Sequence, residues 1–243
     1  MSPRIFIYII ASFGESIYKE LIKLRKLQLL KYKIDHYFLF DEDPPIDYVM
    51  NKNDVYLKKE DIISHSKINP HMNPFMIQRF LKGLQLIDET QYDYIIRVNI
   101  STFININLLL KELENKSRYQ FVMAPLISQH ISDWEEYKLK ISTILSGTCI
   151  IMSNDIITNL KNINIYDPIL HKHNDDTVIS HLIKSYVKHY CNINIYLFES
   201  ISSLDTTIFD TFSLYRIKND IDRDYDILHW EYLLKEIDNI DIV

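Results

Sequence analysis

Apolar residues in this chain fall into short continuous runs alternating with stretches of helical spacing. Ile5–Ala11 is an apolar run of strand length. Ile17–Tyr32 then places Ile17, Leu21, Leu24, Leu27 and Leu30 among Lys and Arg. The first pattern predicts a strand buried on both faces, the second an amphipathic helix. Ser12-Phe13-Gly14-Glu15-Ser16 between them reads as a loop with an N-cap. Asp35–Phe40 predicts a second strand, stopped before Pro44-Pro45 because prolines cannot continue a ladder. Asp54–Leu57 predicts a short strand. Asn73-Pro74 predicts a helix start, with Pro at the first helical position, running to about Asp88. Tyr94–Val98 predicts the next strand.

Beyond it the pattern predicts a helix over Leu108–Glu114, a strand over Tyr119–Ala124, a helix over Trp134–Leu145 and a strand over Gly147–Met152. A helix capped by Ser153 or Asn154 follows, to about Leu160, then a helix over Asp176–Tyr190, a strand over Ile193–Phe198 and a last helix over Asp226–Ile237. The first half alternates strand, helix, strand, as the right-handed crossovers of a parallel sheet require. No linker rich in Gly, Ser or Pro divides the chain, and no repeat recurs. The expected organisation is one α/β domain over residues 1–243, a mostly parallel central sheet flanked by helices.

Composition narrows the classes. A hydrophobic content of 47% supports a buried core, and a net charge of -6 argues against general nucleic-acid binding. Cys149 and Cys191 lie far apart in apolar surroundings and read as buried thiols. The apolar run after Arg4 is too short for a membrane span and lacks a small-residue cleavage pattern, so it reads as a strand. No other run is long enough to span a bilayer. The expectation is a soluble, cytoplasmic protein. Only 3 glycines beside abundant Ile, Asn, Lys and Tyr is the composition of an AT-rich coding sequence, such as that of a large DNA virus.

The candidate chemistry starts where Tyr94–Phe103 turns from apolar to polar at Arg97, Asn99 and Ser101. Ligands of open α/β sheets bind at the carboxyl ends of strands. The same residues also read as a local cap, with Asn and Ser bonding nearby backbone. Arg216 and Lys218 lie two apart, so in an extended segment they share a face; Arg223 follows, among Asp220, Asp222 and Asp224 that could pair with it. Asp175-Asp176 opens a helical pattern, where acids also complement a helix dipole. Ser146-Gly147 opens an apolar strand. Asp41-Glu42-Asp43 reads first as a solvated turn.

In their order along the chain, the segments resemble those of GT-A glycosyltransferases, the nucleotide-diphospho-sugar transferase superfamily. The Tyr94–Phe103 stretch is similar to the Fringe-like strand-loop Lys-x-Asp-Asp-Asp-x-Phe, whose carboxylates hold Mn²⁺. Asn99 and Ser101 stand where those acids would be. The Arg216/Lys218/Arg223 segment resembles the basic substitute for the metal in the mucin-branching N-acetylglucosaminyltransferases. Asp175-Asp176 resembles the acidic pair of inverting members, with Ser180 at the family's glycine.

The resemblance implies a single Rossmann-like GT-A domain and an inverting transferase. It would move a sugar from a nucleotide-diphosphate donor to a hydroxyl of a glycan or other acceptor. It makes Asp176 the base and Asp175 its support. Donor contacts would come from Ser12, Arg79, Arg97, Asn99, Ser101, Arg216, Lys218 and Arg223. Acceptor contacts would come from Trp134, Ser146, Gly147 and His173. No metal is expected to be obligatory, with Mn²⁺ or Mg²⁺ the alternative. Trp134 and Trp230 also read as core packing. Two other functions stay open: a nucleotidyltransferase-like nucleotide-sugar enzyme, and a non-catalytic glycan-binding protein derived from a transferase.

Overall fold

A computed structural model of the chain describes residues 2–40, 42–57, 74–128, 143–165, 167, 170, 175–198, 206–219 and 222–242. In chain order the elements are β1 (Ile5–Ile10), α1 (Tyr18–Tyr32), β2 (Asp35–Phe40), β3 (Asp54–Tyr56), α2 (Pro74–Leu84), β4 (Tyr94–Asn99), β5 (Thr102–Ile104) and α3 (Ile106–Leu113). There follow β6 (Phe121–Ala124), β7 (Leu126–Ser128), β8 (Thr143–Leu145), β9 (Cys149–Ser153), α4 (Asn154–Lys161) and α5 (Asp175–Lys184). The last are β10 (His189–Asn192), β11 (Ile195–Leu197), β12 (Leu214–Arg216) and α6 (Asp224–Glu236).

The central sheet runs β10-β6-β9-β4-β1-β2-β3. Only β9 opposes its neighbours; the other pairs not involving it are parallel. Alternation along β1 divides the core. Ile5, Ile7 and Ile9 face the layer of α1 and α6, with Leu21, Leu29, Trp230 and Leu233. Phe6 and Tyr8 face the layer of α2, α4 and α5, with Phe80, Leu81, Ile156 and Ile179. A small sheet, β11-β12-β5, sits beyond the end of β4, and β7 pairs with β8. The expected mostly parallel α/β sheet is therefore present.

Several elements differ from expectation. Residues 134–142 lie outside the described residues, but 143–145 are strand, not helix. Leu126 and Ile127 supply a ladder for Leu145 and Ile144, which single-strand periodicity cannot reveal. The helix expected over Asp176–Tyr190 stops at Lys184; His189–Asn192 pairs instead with the free edge of β6. The strand expected from Tyr119 starts at Phe121, because Gln120 takes a positive φ of 48°. The helix expected to reach Asp88 ends at Leu84. Strands β5, β7 and β12 are too short to carry a period.

The helix α1 also buries a face the apolar spacing did not mark. Leu30 is 74% exposed and Leu27 42%, while Arg25 and Gln28 are fully buried. Arg25 stacks on Trp230, 4.4 Å from the ring centroid, and donates to Gln28 Oε1 at 2.8 Å and to the Thr102 carbonyl. Gln28 donates to Asp238 Oδ2 at 2.7 Å, and Tyr32 to Asp238 Oδ1 at 2.6 Å. Trp230 is thus packing, as one of its readings held. Cys149 is buried, and burial pushes its thiol up to about 12, so it stays protonated. Cys191 is only half-buried, on edge strand β10, contrary to its apolar context in sequence.

Candidate active site

The carboxyl end of β4 meets the start of α5 and the turn before β9. Arg97 lies on the same sheet face as Tyr8, its register partner in β1. It is 2% exposed. Its Nη2 donates to Asp175 Oδ2 at 2.7 Å and its Nη1 to the Gly147 carbonyl at 2.7 Å. The same Nη1 stands 3.8 Å from Asp176 Oδ1. Phe80 covers the guanidinium on the α2 side, 5.8 Å from its ring centroid.

Asp176 is anchored from several directions. Its side chain is 30% exposed, so one side remains open to a ligand. The Gly147 backbone lies against its carboxylate and favours the charged form. A Cβ at Gly147 would overlap Asp176 Oδ1 and Arg97 Nη1, so the absence of a side chain permits this approach. Ser180 Oγ donates to the Asp176 carbonyl at 2.6 Å and accepts from the Leu145 amide at 2.9 Å. This bolts the first turn of α5 to the strand that leads to Gly147. Burial raises the Asp176 carboxyl above the usual range and Asp175 raises it further; Arg97, the Gly147 amide and Arg216 oppose that rise.

Arg216 enters from β12, whose last residue pairs in register with Thr102. Its Nη1 donates to Ser101 Oγ at 2.6 Å. The Ile217 amide donates to the Ser101 carbonyl at 2.9 Å, so the small sheet is fastened to the loop after β4. Lys218 is exposed, beyond the buried Ile217. Asn99 is half-buried at the strand end, on the face of Arg97. Ser146 Oγ lies 2.9 Å from Thr148 Oγ1, and the Thr148 carbonyl accepts from the Asn99 amide at 3.1 Å.

The loop after β1 lies beside the loop after β4, since the Ile100 amide donates to the Ile10 carbonyl at 3.1 Å. Ser12 Oγ donates to Glu42 Oε2 at 3.1 Å, and the Phe13 amide donates to the same oxygen at 2.9 Å. Phe13 stacks on Phe40 at 4.6 Å between centroids. Glu42 is therefore not merely part of a solvated turn. The acid string after β2 was visible in sequence, but its partner in the first loop was not; Asp41 lies outside the described residues. Arg223 Nη1 lies 3.1 Å from Glu15 Oε2 and its Nε 2.7 Å from Asp226 Oδ2, which holds Arg223 at the first loop. Arg79, 3% exposed, is buried on α2, and its carbonyl accepts from Tyr8 Oη at 3.2 Å.

The fold thus gathers Arg97, Ser101, Gly147, Asp175, Asp176 and Arg216 at one sheet edge. Ser12 and Arg223 stand at the adjoining loop, and Arg79 beneath α2. Trp134 and His173 lie outside the described residues. Tyr8 is a site neighbour that sequence reasoning missed, because nothing in an apolar strand marks one tyrosine as the neighbour of an arginine. Among the described residues, no group of His, Cys, Asp and Glu side chains is placed to hold a metal ion.

No model of a known protein family matches the sequence, and no curated protein matches it. Solved structures do. A glycosyltransferase involved in the glycosylation of the major capsid of PBCV-1 superposes with a TM-score of 0.55 at 10% identity, covering 95% of this chain and 100% of that one. The catalytic domain of Drosophila beta1,4galactosyltransferase 7, in complex with xylobiose, gives a TM-score of 0.42 at 8% identity over 88% of this chain and 71% of its own. The first of these defines the class of fold: this chain shares the α/β fold of that glycosyltransferase. Among the described residues no helix is long and apolar enough to cross a membrane.

Proposed function

We propose that the chain is an inverting glycosyltransferase that moves a sugar from a nucleotide-diphosphate donor to a hydroxyl of a glycan or other acceptor. The observation that carries this reading is Asp176, a half-open carboxylate raised by burial and fastened beside Arg216 at the edge where α/β sheets bind ligands. Asp176 takes the proton of the acceptor hydroxyl. The oxygen attacks the anomeric carbon from the face opposite the diphosphate, which leaves with the bonding pair as nucleoside diphosphate. Arg216, its charge directed at Ser101, is the cation for the departing phosphates, joined by the exposed Lys218.

Divalent-metal assistance does not fit the residues at the end of β4. Asn99 and Ser101 offer neutral oxygens, Ser101 Oγ already accepts from the Arg216 guanidinium, and Asp175 is bound by Arg97. A hard cation favours carboxylates and would sit against a fixed positive charge. The basic groups therefore take the electrostatic role. A nucleotidyltransferase is less well supported, because it wants a glycine-rich phosphate loop and the first loop holds only Gly14.

The test is donor turnover by the purified chain across a panel of nucleotide sugars, with and without chelator, with the anomeric configuration of any product read by NMR. Transfer or donor hydrolysis with inversion supports the proposal. Tight nucleotide-sugar binding with no turnover under any condition would instead support a non-catalytic binding protein.

A further inference from the structure

We propose that Arg97 is a positioning residue, not a donor ligand: with Gly147 it forms a bracket that anchors Asp175 and leaves Asp176 open to the acceptor. This rests on the reading of Asp176 as the base. An arginine at a strand end beside a phosphate site invites a donor role, but both of its terminal nitrogens turn to acceptors within the protein, and its Nε is buried without a hydrogen-bond partner among the described residues. Both terminal nitrogens are committed, Nη2 to Asp175 and Nη1 to the Gly147 carbonyl, each at 2.7 Å. At 2% exposure, with Phe80 across the guanidinium and Tyr8 adjacent, the side chain has little surface to offer a phosphate.

The bracket treats the two acids unequally. Asp175 receives a short charge-assisted bond, while Asp176 Oδ1 stands 3.8 Å from Nη1. Asp176 packs instead against Gly147, which is itself fixed through its carbonyl by Arg97. Gly147 thus stands between the guanidinium and the base, with no room there for a Cβ. The charged groups facing Asp176, among the described residues, are Asp175 on its own helix, Arg97 from β4 and Arg216 from β12. Arg97, paired with Asp175, opposes the rise that burial and the Asp175 charge impose on Asp176, and so favours the ionised base.

The test is a carboxylate titration of the full chain by ¹³C NMR with labelled Asp. Asp176 is assigned by the resonance lost in Asp176→Asn. In Arg97→Met, Asp176 should titrate higher by on the order of 1 pH unit, while affinity for UDP or GDP stays within about twofold. In Asp175→Asn the sign reverses, because the like charge is gone and Arg97 is released toward Asp176. Arg97→Lys should fall between wild type and Arg97→Met. An Asp176 titration unmoved in both Arg97→Met and Asp175→Asn overturns the bracket. So does a roughly tenfold loss of nucleotide affinity in Arg97→Met with the titration unchanged, which marks a donor ligand. If Arg97→Met fails to fold, Asp175→Asn decides alone. The titration reads Asp176 whether or not it is the base; an active Asp176→Asn enzyme sinks the catalytic assignment and leaves the bracket standing.

Discussion

At the scale of single residues, the site separates groups that hold from groups that act. Asp176 is the acting group of the proposed mechanism, and Asp176→Asn keeps its shape while removing the proposed base. General-base loss typically costs ~10²–10⁴ in rate. Sugar transfer should collapse by that factor while nucleotide affinity and melting temperature stay near wild type, measured by initial rates, calorimetry and thermal melting. The pH dependence follows from the same group. A base works deprotonated, and burial and Asp175 raise Asp176. Activity should therefore fall as pH falls through a value above the ordinary aspartate range, and a pH–rate profile of kcat would locate it. Arg216→Ala removes a charged donor that an incoming diphosphate would meet. Nucleotide binding should weaken by about 1.5–3 kcal/mol, read by calorimetry, with the melting temperature little changed. Unchanged affinity in a folded Arg216→Ala would remove this residue from the site.

At the scale of elements, the site depends on how α1, β5, β8 and α5 are fastened. The first turn of α5 is bolted to β8 by the Ser180 hydroxyl, which serves an amide and a carbonyl at once. On the other side of the sheet, Arg25 and Gln28 of α1 satisfy the Thr102 and Ile104 carbonyls of β5, the strand directly after Ser101. Burial lowers the Arg25 guanidinium from its ordinary value, as expected of a layer that excludes water. Arg25→Ala would leave two carbonyl-type acceptors and the face of Trp230 without a partner. The loss should be on the order of 3 kcal/mol, measured by urea denaturation. A change under about 0.5 kcal/mol would show that water enters and replaces the contacts.

At the scale of the whole molecule, a single sheet edge gathers the candidate residues, and its charges come from different parts of the chain. Arg97 and Ser101 come from the centre, Asp175 and Asp176 from the third quarter, and Arg216 from near the end. Binding of UDP or GDP should persist after chelation if, as proposed, Arg216 is the cation for the diphosphate. Calorimetry with and without chelator checks this. Binding that vanishes with chelator and returns with Mn²⁺ would mean that other carboxylates hold a metal.

The apolar runs of β1, β2 and β4 and the spacing of α1 were legible in the chain, because a strand buried on both faces must be continuously apolar. The polar break at Arg97, Asn99 and Ser101 and the acidic start of α5 were legible for the same local reason: polar and charged groups interrupt an otherwise apolar pattern. What local pattern could not supply was pairing. Strands β8 and β10 exist because β7 and β6 offer ladders, and Thr143–Leu145 and His189–Asn192 carry no period of their own that outweighs a helical reading. Nor could spacing show that Arg25 and Gln28 face inward, since their partners are β5 carbonyls and Asp238 at the far end of the chain. The site divides the same way. Sequence marked its charged residues one by one, and only the tertiary fold decided that Arg97 turns toward Gly147 and Asp175 and that Asp176 keeps an open side.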